Sequence, residues 1–468
     1  MGSEWQTGSV GDLFDLINGY AFKSREFQTS GIPVIKIKNI KAGHFSEHEF
    51  SYVSRSYLDE RPQKLARNGD LLISMSGNRH DGSPETWVGK VAFFDKSSPY
   101  LINQRVGALR ARDNTVVDPR FMGYLLSAWD YQFLFISIAT SSGGQANLSP
   151  KQILNAKIKY PSLGIQQKIG RILGRLDDKI ALNQQINTTL EFMAQALFKS
   201  WFVDFDPVID NALAAGNPIP EALQARADAR ATLGDQRKPL PDHIRQQFPD
   251  RFVLTEEMGW VPEGWHISTI GEQVETTGGG TPSTKNPDFW DNGVHPFCTP
   301  KDMSQLKSLV LMDTERHLTD AGVRKISSGQ LPKGTVLMSS RAPIGYLAIS
   351  DIPVSVNQGI IAMLPNQHYG PVYLLCWAKT NMNHITDRAN GSTFQEISKK
   401  NFRPIPFLVP GKGILEAFNE QAEAIYSRIL LTSEQTDALT RLRDTLLPKL
   451  LSGELRVPEA ERPVAEII

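Results

Sequence analysis

Two long segments of the chain carry apolar residues at alternating steps of four and three positions. In the first segment this seam consists of Ile169, Leu173, Leu176, Ile180, Asn183, Asn187, Leu190, Ala194, Leu197 and Trp201. The second seam has its two central polar residues at the same places and consists of Phe418, Ala422, Ile425, Ile429, Thr432, Thr436, Leu439, Arg443, Leu446 and Leu450. A period of about 3.5 residues is typical of coiled coils. The pattern therefore predicts two long helices that pack against each other.

The two seams are complementary in size when the helices run antiparallel. The opposed pairs then include Trp201 with Phe418, Asn183 with Thr436, and Asn187 with Thr432. Buried polar layers of this kind fix the register of a coiled coil at some cost in stability. Arg443 faces Leu176 in this register, and it fits only if its guanidinium reaches Asp177 or Asp178. Two separate amphipathic helices, each packed on its own domain, remain the alternative.

Each predicted long helix follows a region whose periodicity indicates short strands. The predicted strands are the runs 34–37, 70–75, 88–94, 335–339 and 345–349, and the predicted helices in the same regions are 121–135 and 371–380. Apolar alternation and short apolar runs beside Asn, Gly and Pro favour strands. The expected fold class is α/β (α+β), with two pseudo-symmetric globular domains, each followed by a long helix, and an antiparallel coiled coil formed by these helices.

The second half of the chain repeats the first. Trp5 and the Gly11-Asp12 pair return as Trp265 and Gly271-Glu272, and Asn103-Gln104 returns as Asn357-Gln358. A period this long indicates a duplicated domain rather than a solenoid. The predicted divisions are 1–160 and 266–410 for the globular domains, 161–205 and 411–456 for the helices, 206–265 for a Pro- and Ala-rich linker with short helices such as 221–233, and 457–468 for a tail. Two similar but unequal units suggest that the chain binds two similar but unequal targets.

Composition narrows the functional classes. The 468 residues have a formal net charge of zero, but Lys and Arg exceed Asp and Glu in both globular domains, while the linker and the C-terminal region are acidic. This asymmetry fits DNA contact by the two domains only weakly. The two cysteines lie in no CxxC motif, so a disulfide framework or a zinc cluster is not expected. Neither a membrane-spanning run nor a signal peptide is present, and the expected location is the cytoplasm.

Motifs for catalysis are missing. The sequence has no Walker A lysine and no G-x-S-x-G elbow. The tetrapeptide 286–289 (NPDF) differs by one residue from the Asn-Pro-Pro-Phe motif of amino-methyltransferases, but no strand followed by a G-x-G loop lies suitably placed to bind S-adenosylmethionine. We therefore expect a turn ahead of Trp290. No catalytic residue and no metal site are predicted.

Several motifs, taken in order, resemble the specificity (S) subunit of type I restriction-modification systems. They are 197–207 (LFKSWFVDFDP), 248–252 (FPDRF), 259–265 (GWVPEGW), 279–283 (GGTPS) and 446–456 (LLPKLLSGELR). The resemblance covers essentially the whole chain. The first domain departs from it, because residues 18–23 (NGYAFK) stand where the second domain has GGTPS.

The resemblance implies a non-catalytic subunit that reads double-stranded DNA. Each globular domain would be a target recognition domain for one half of an asymmetric bipartite site, and the paired helices would set the nonspecific gap. Two modification subunits, which use S-adenosylmethionine to methylate adenine, would dock on the chain. Restriction subunits that use ATP and Mg would complete the assembly. No cofactor is expected in this chain.

Candidate DNA contacts are polar residues that follow strands or lie in Gly-rich loops, because base edges and phosphates are bound by amides, hydroxyls and cations. In the first domain they are Lys36, Lys38, Asn39, Ser76, Asn78, Arg79, Gln104 and Gln145. In the second domain they are Thr281, Ser283, Lys301, Asp302, Ser339, Arg341, Gln358 and Gln395. Surface solvation or a loop hydrogen bond is the alternative for each. For Gln104 and Gln358 a structural role is favoured, because both sit beside Asn in apolar runs.

Two other functional classes remain open. A bivalent protein-interaction adapter without DNA binding would suit the zero net charge, and a divergent methyltransferase would be needed to explain residues 286–289. The outer faces of the predicted helices include Ile172, Phe198, Phe202, Leu431 and Leu447. We expect these five residues to be exposed and to dock partner subunits.

Overall fold

The computed structural model describes residues 5–80, 83–142, 144–234, 240–391 and 395–467. The chain divides into two compact units, Met1–Ile180 with Ala438–Ile468 and Ala181–Asp437. We call them unit 1 and unit 2. Each contains one globular head and part of both long helices. Within the described ranges, no helix is both long and apolar enough to cross a membrane.

The head of unit 1 is built from short strands and helices. Its strands are β1 Trp5–Ser9, β2 Phe14–Asn18, β3 Ile32–Ile35, β4 Ile40–Lys41, β5 His44–Phe45, β6 Ser51–Val53, β7 Leu65–Ala66, β8 Leu71–Ser74, β9 Ser76–Gly77, β10 Val91–Phe93, β11 Tyr100–Ile102, β12 Val106–Ala111, β13 Thr140–Ser142, β14 Gln145–Asn147 and β15 Lys157–Pro161. Its helices are α1 Val10–Leu13, α2 Tyr57–Glu60, α3 Pro119–Ser127, α4 Trp129–Ile138 and α5 Pro150–Asn155. The largest sheets have the strand orders β10-β8-β12-β2 and β6-β3-β11-β7.

Strand β8 is almost entirely apolar because both of its faces are covered. Successive side chains of a strand point to opposite faces of the sheet. Leu71 and Ile73 therefore enter one core cluster, with Phe121 of α3, while Leu72 enters another, with Ile35 of β3. All four residues of β8 are buried because both faces of the strand are covered.

Two predicted elements of this head are shorter than the sequence pattern indicated. The predicted helix 121–135 is two helices, α3 and α4, because Ala128 between them has an extended backbone with ψ near 153°. Within the run 88–94, only Val91–Phe93 forms a strand. Gly89 has a φ of +78°, and a Cβ there would lie 2.4 Å from the Cβ of Phe135, so a glycine is required at this bend.

The long helix α6, Leu163–Phe202, follows this head, and the next elements are α7 Asp206–Ala215, α8 Glu221–Leu233, α9 Asp242–Arg245, β16 Phe252–Thr255 and β17 Gly259–Pro262. Residues 235–239 of the predicted linker lie outside the described ranges. Asp206 is almost fully buried at the start of α7, and its carboxylate accepts hydrogen bonds from Arg226 and Ser200. Burial opposes ionisation, but these bonds and nearby Arg230 hold the pKa of Asp206 below its usual value. The described residues of the linker are therefore held within unit 2 by specific contacts.

The head of unit 2 repeats the first. Its strands are β18 His266–Thr269, β19 Glu275–Gly278, β20 His295–Cys298, β21 Val310–Leu311, β22 Arg316–Leu318, β23 Val336–Ser340, β24 Ile344–Ser350, β25 Ser355–Val356, β26 Ile360–Leu364 and β27 Pro406–Val409. Its helices are α10 Ile270–Gln273, α11 Pro300–Gln305, α12 Asp320–Val323, α13 Pro371–Thr380, α14 Met382–Asp387 and α15 Lys399–Phe402. The sheets have the orders β19-β26-β23-β24-β21 and β22-β20-β25. Central β23 alternates between two cores as β8 does, with Val336 and Met338 in one and Leu337 in the other.

The chain ends in α16, Lys412–Ser452, and α17, Val457–Ile467. In unit 2, α16 runs antiparallel to α6: the rings of Trp201 and Phe418 are 6.1 Å apart. In unit 1, Arg443 Nη1 donates to Asp177 Oδ1 at 2.9 Å, which is the contact that the register required of this arginine. Two predictions are therefore confirmed, the antiparallel pairing and its register.

The central polar layers lie within unit 2. Asn187 Nδ2 donates to Ser433 Oγ at 3.0 Å, and Asn187 Oδ1 accepts from the Thr432 hydroxyl. Asn183 Nδ2 donates to Gln435 Oε1 at 2.9 Å, one residue before the predicted partner Thr436. Thr436 donates to the carbonyl of Thr432 at 2.7 Å. Asn183, Asn187 and Thr432 are nearly inaccessible to solvent, so these layers replace solvent contacts with specific hydrogen bonds.

The expected exposure of the outer helix faces is wrong for three of the five residues. Ile172, Phe198 and Phe202 are buried against the heads of their own units. Phe198, for example, packs edge-on against Tyr373 of α13 at 5.1 Å. A single helix pattern does not distinguish an outer face that contacts solvent from one that contacts the helix's own head. Leu431 is 54% exposed and Leu447 is partly buried.

Candidate nucleic-acid interface

Strand registers align the two heads residue by residue. Ser74 of β8 pairs with Val106 of β12, and Ser339 of β23 pairs with Ile360 of β26. The next backbone bonds are also equivalent. Met75 N donates to Arg105 O and Ser340 N donates to Gly359 O, at 2.9 and 2.8 Å. Each head therefore brings together the segment that leaves its central strand and the turn that enters the neighbouring strand.

A third segment joins them at the same place. Leu148 N donates to Met75 O at 2.9 Å, and Ile397 N donates to Ser340 O at 3.0 Å. These two residues lie near the ends of two glycine-containing segments, 141–149 and 390–398. Gly143 and residues 392–394 of these loops lie outside the described ranges. The convergence of three segments at one end of a head forms a surface that we call the loop cluster.

In the first head the loop cluster is organised around Arg105. Its Nη1 donates to Ser76 Oγ at 3.0 Å and to Gln145 Oε1 at 3.2 Å. Ser76 Oγ donates in turn to Asn147 Oδ1 at 2.7 Å. Two of the predicted DNA contacts, Ser76 and Gln145, thus lie in one polar network. Arg105 is not among the predicted contacts, although it directly follows the Asn103-Gln104 pair.

In the second head the loop cluster contains Arg341 and Gln358. Arg341 Nη1 lies 3.6 Å from Glu396 Oε2, and the two residues also form a β-bridge. Thr281 Oγ1 donates to Gln358 Oε1 at 2.7 Å. Three predicted contacts are therefore close to one another. Gln395 is exposed beside Glu396.

Gln104 and Gln358 are exposed and precede strands β12 and β26 rather than lying in them. The structural role that the apolar sequence around them favours has a supporting contact for Gln358, whose amide oxygen accepts from Thr281. The exposure of Gln104 also leaves its amide accessible to a ligand.

The departure of the first head from the GGTPS motif does not change its backbone. Asn18 pairs with Gly107 and Gly278 pairs with Ile361, so Gly19 and Gly279 are equivalent. A Cβ on Gly19 would lie 2.0 Å from the carbonyl oxygen of Asn103, and one on Gly279 would lie 1.6 Å from that of Val356. Both heads therefore need glycine where this segment crosses the sheet.

The predicted contacts after β3 and β20 have structural partners. Parallel pairing of Ile35 with Ile102 and of Cys298 with Val356 makes Lys38 equivalent to Lys301, and Asn39 equivalent to Asp302. Asn39 Oδ1 accepts from Lys36 N at 3.0 Å, as Asp302 Oδ2 accepts from Thr299 N at 2.9 Å.

The two capping side chains also hold a neighbouring segment. Asn39 Nδ2 donates to the carbonyls of Ser46 and His48, and Asp302 Oδ1 accepts from the amide of Glu315. Asn39 is buried, with 1% of its surface exposed. That Asn39 and Asp302 contact DNA stays a prediction. In the structure each side chain stabilises a turn.

Several cationic candidates are engaged in ion pairs or packing. Lys38 Nζ lies 3.0 Å from Glu49, and Lys301 Nζ lies 2.6 Å from Glu315. Lys36 Nζ donates to Ser51 Oγ at 2.7 Å and lies 4.1 Å from the centroid of the Phe27 ring. Its partial burial, with the charge of Lys38, lowers its pKa.

The remaining candidates lie around the same strands. Asn78 Nδ2 donates to Thr86 Oγ1 at 3.0 Å, and Arg79 Nη2 donates to the Ala139 carbonyl. The Ser283 carbonyl accepts from Trp290 Nε1 at 3.0 Å. Ser339 is fully buried, and its hydroxyl donates to Pro343 O while accepting from Tyr346 N. Arg79 and Ser283 are exposed, whereas Ser339 is inaccessible to a ligand.

The tetrapeptide 286–289 forms a turn, as expected. Asn286 Oδ1 accepts from Asp288 N at 3.1 Å and caps a short 3-10 turn, Pro287–Phe289. Trp290 then packs under Arg316, whose guanidinium carbon lies 3.5 Å from the ring centroid. In the part of the chain that the structure describes, no cluster of His, Cys, Asp and Glu side chains could hold a metal ion.

Comparison with known proteins gives one consistent result. The family described as "Type I restriction modification DNA specificity domain" matches residues 2–192 and 262–427. The type I restriction enzyme HindI specificity subunit of Haemophilus influenzae is 28% identical over 481 residues, which cover 97% of this chain and 100% of that protein. The MjaIX specificity subunit of Methanocaldococcus jannaschii is 35% identical over 169 residues, 36% of this chain and 39% of that protein.

A solved structure supports the fold. The crystal structure of a type I restriction-modification system S subunit from M. genitalium superposes with a TM-score of 0.55 at 17% identity, and covers 95% of this chain and 96% of that one. The family match takes in both heads and well over half of the chain. The chain therefore belongs to the type I restriction-modification specificity subunits, the non-catalytic subunits of these systems that recognise the DNA sequence.

Proposed function

We propose that each head reads one half of an asymmetric, bipartite site in double-stranded DNA, and that the loop cluster is the reading surface. One observation carries this proposal. The two heads share the same strand registers, but they present different polar side chains from the same three segments. A common scaffold with different base-reading groups is what two different half-sites require.

We further propose that α6 and α16 set the length of the nonspecific gap between the half-sites. Each helix belongs partly to unit 1 and partly to unit 2 without a break in its helical backbone. The buried polar layers at Asn183 and Asn187 favour one register between the helices over others. A fixed register supports a fixed spacing.

The proposed partners are two modification subunits, which would carry S-adenosylmethionine, and restriction subunits, which would use ATP and Mg. The supporting observation is a set of large exposed apolar side chains on α6 in unit 2. Phe192 is 73% exposed, Met193 is 50% exposed and Leu182 is 48% exposed. Such side chains are candidates for contact with a partner subunit.

Methylome sequencing of cells that express the chain with its modification subunit tests the function. The expected result is adenine methylation in one bipartite motif with two unlike halves and a constant gap. The purified complex should shift duplex DNA containing that motif, and its affinity should fall linearly with salt on logarithmic axes. An adapter without DNA affinity would give no motif and no salt-dependent shift.

A further inference from the structure

We propose that Arg105 of the first head and Arg341 of the second both read guanine, and that the two heads carry this arginine at different positions of the loop cluster, on two neighbouring segments. This inference rests on the proposed function of the loop cluster. It assigns the specificity-determining residue in each half of the site and the base that this residue contacts.

The equivalence of the positions follows from backbone pairing. Asn147 pairs with Ser76 in the first head, and Glu396 pairs with Arg341 in the second, one residue before the equivalent Leu148 and Ile397. Ser76 of the first head is therefore structurally equivalent to Arg341 of the second. Met75 N donates to the carbonyl of Arg105, and the equivalent Ser340 N donates to that of Gly359, so Arg105 is structurally equivalent to Gly359. The first head thus has Ser and Arg at these two positions, and the second head has Arg and Gly.

In each head, the size of the side chain at one of these two positions limits the size of the side chain at the other. In the first head the small side chain of Ser76 is buried, and the guanidinium of Arg105 lies over it with Nη1 3.0 Å from Oγ. In the second head a Cβ added to Gly359 would lie 3.3 Å from Nε of Arg341. The side chain of Arg341 therefore lies over Gly359. Each loop cluster holds one of these guanidinium groups because the opposing position is small enough to accommodate it.

The guanidinium groups have the geometry for reading a base edge. Among the described contacts of Arg105, both side-chain hydrogen bonds use Nη1, so the remaining N–H groups are available to a ligand. Arg105 is exposed, and the side chain of Arg341 is 38% exposed. An arginine fork matches O6 and N7 of guanine in the major groove, and bonds to neighbouring side chains hold the fork in place.

The network around each arginine differs in charge. Arg105 is held by neutral Ser76 and Gln145, whereas Arg341 faces the carboxylate of Glu396. Among the described residues, the guanidinium of Arg105 thus has only neutral side-chain partners, whereas that of Arg341 has an acidic one. We expect substitution of Arg105 to reduce the salt dependence of DNA binding more than substitution of Arg341.

The test moves the arginine of the first head from position 105 to position 76. The variants are R105G, S76R and the double variant S76R/R105G, each expressed with the modification subunit, and R112A serves as the control. Arg112 follows the other end of β12 and is paired with Asp15, so it lies away from the loop cluster. The readouts are the methylated motif and the affinity for duplex DNA that contains the wild-type motif.

R105G should accept other bases at one position of the first half-site and bind the wild-type motif roughly 5- to 100-fold more weakly. The second half-site and the gap should not change. The double variant should recover guanine at that position, because it reproduces the arrangement of the second head. In the second head, R341S should relax the other half-site, and R341S/G359R should restore it.

The outcomes separate this inference from the proposed function. If the wild-type complex methylates no bipartite motif, both fail together. If it does, but R105G keeps the same first half-site and the same affinity, the assignment of Arg105 is overturned. If S76R/R105G accepts as many bases at that position as R105G does, the claim that an arginine at position 76 can replace Arg105 is overturned. R105K gives a second test that keeps the charge, and it should weaken the preference for guanine, because lysine lacks the planar fork, while keeping the salt slope.

Discussion

At the scale of single residues, Asn39 and Asp302 show how a side chain that suits DNA binding can be committed to the fold. Both types of side chain occur at base edges in complexes, and both follow a strand end. In this chain each one caps a turn and also holds a neighbouring segment. Sequence alone does not separate these uses, because a capping residue and a reading residue have the same chemistry and the same position after a strand.

A substitution of Asn39 tests this reading. N39A removes the partly buried hydrogen bonds from Asn39 to the backbone carbonyls of Ser46 and His48. We expect a loss of about 1–3 kcal/mol in the free energy of unfolding, measured by urea titration. The methylated motif should be unchanged, in contrast to R105G. A relaxed first half-site with unaltered stability would instead make Asn39 a DNA contact.

Lys90 is a second residue whose environment predicts a measurable effect. Its side chain is buried, and Nζ donates to the Glu85 carbonyl. Burial, together with nearby Lys41, lowers the pKa of Lys90 from 10.5 to about 8, although Glu85 acts in the opposite direction. The folded state therefore binds fewer protons than the unfolded state between these two pH values.

That difference in proton binding fixes the sign of the pH dependence. Below pH 8 both states are protonated, and the cost of burying the ammonium group is fully present. As the pH rises from 8 towards 10.5, the wild-type protein should gain stability relative to K90M, by up to about 3 kcal/mol. Urea titrations of both proteins across this range measure the difference. K96M is the control, because the hydrogen bond to Glu47 raises the pKa of Lys96 above 10.5 and keeps it charged there.

At the scale of elements, the helices were predictable and their surroundings were not. The seam from Ile169 to Trp201 specified the pairing partner, the direction and the register, because a coiled coil depends on one repeating stripe. The break at Ala128 has no comparable local signal, since no Pro or Gly stands there. The burial of Phe198 is set by Tyr373, a residue distant in sequence.

The loop cluster was predictable only in part for a similar reason. Ser76, Gln145, Arg341 and Gln358 follow strands or lie in loops, and these local features are visible in the sequence. Arg105 is different, because its function in the cluster depends on which residue of a second strand lies across from it. Pairing between strands is not visible in a single sequence.

The polar layer at Asn187 makes a prediction at the same scale. N187L replaces an amide with an apolar side chain of similar size, and the hydroxyls left behind have other partners: Thr432 donates to Arg428 O, and Ser433 bonds to Ser308. We expect the melting temperature to change little or to rise. The half-sites should stay the same. I429A in the same helix is the control, and it should cost about 2–5 kcal/mol, because Ile429 is buried in the core of unit 2. A loss of similar size in N187L would mean that the layer stabilises the helices.

At the scale of the whole molecule, the chain has two specificity domains joined by long helices. The duplication supplies two heads with one scaffold, and the helices contribute residues to the cores of both units. Changes in a head should therefore alter one half-site, whereas changes in the helices should alter the gap. This separation of effects is what distinguishes a bipartite reader from a protein with one composite surface.

Lengthening both helices together tests the proposed spacing role. Seven residues inserted after Gln184 in α6 and seven after Glu434 in α16 preserve the 3.5-residue seam and keep the bonds Asn183–Gln435 and Asn187–Ser433 within their own segments. Seven helical residues add about 10 Å, close to three base pairs at about 3.4 Å each. The methylated motif should keep both half-sites and widen its gap by about three base pairs. An insertion in α6 alone serves as the control and should lower the melting temperature, because it shifts one seam against the other. Methylation by the double insertion at the original gap would show that the helices do not set the spacing.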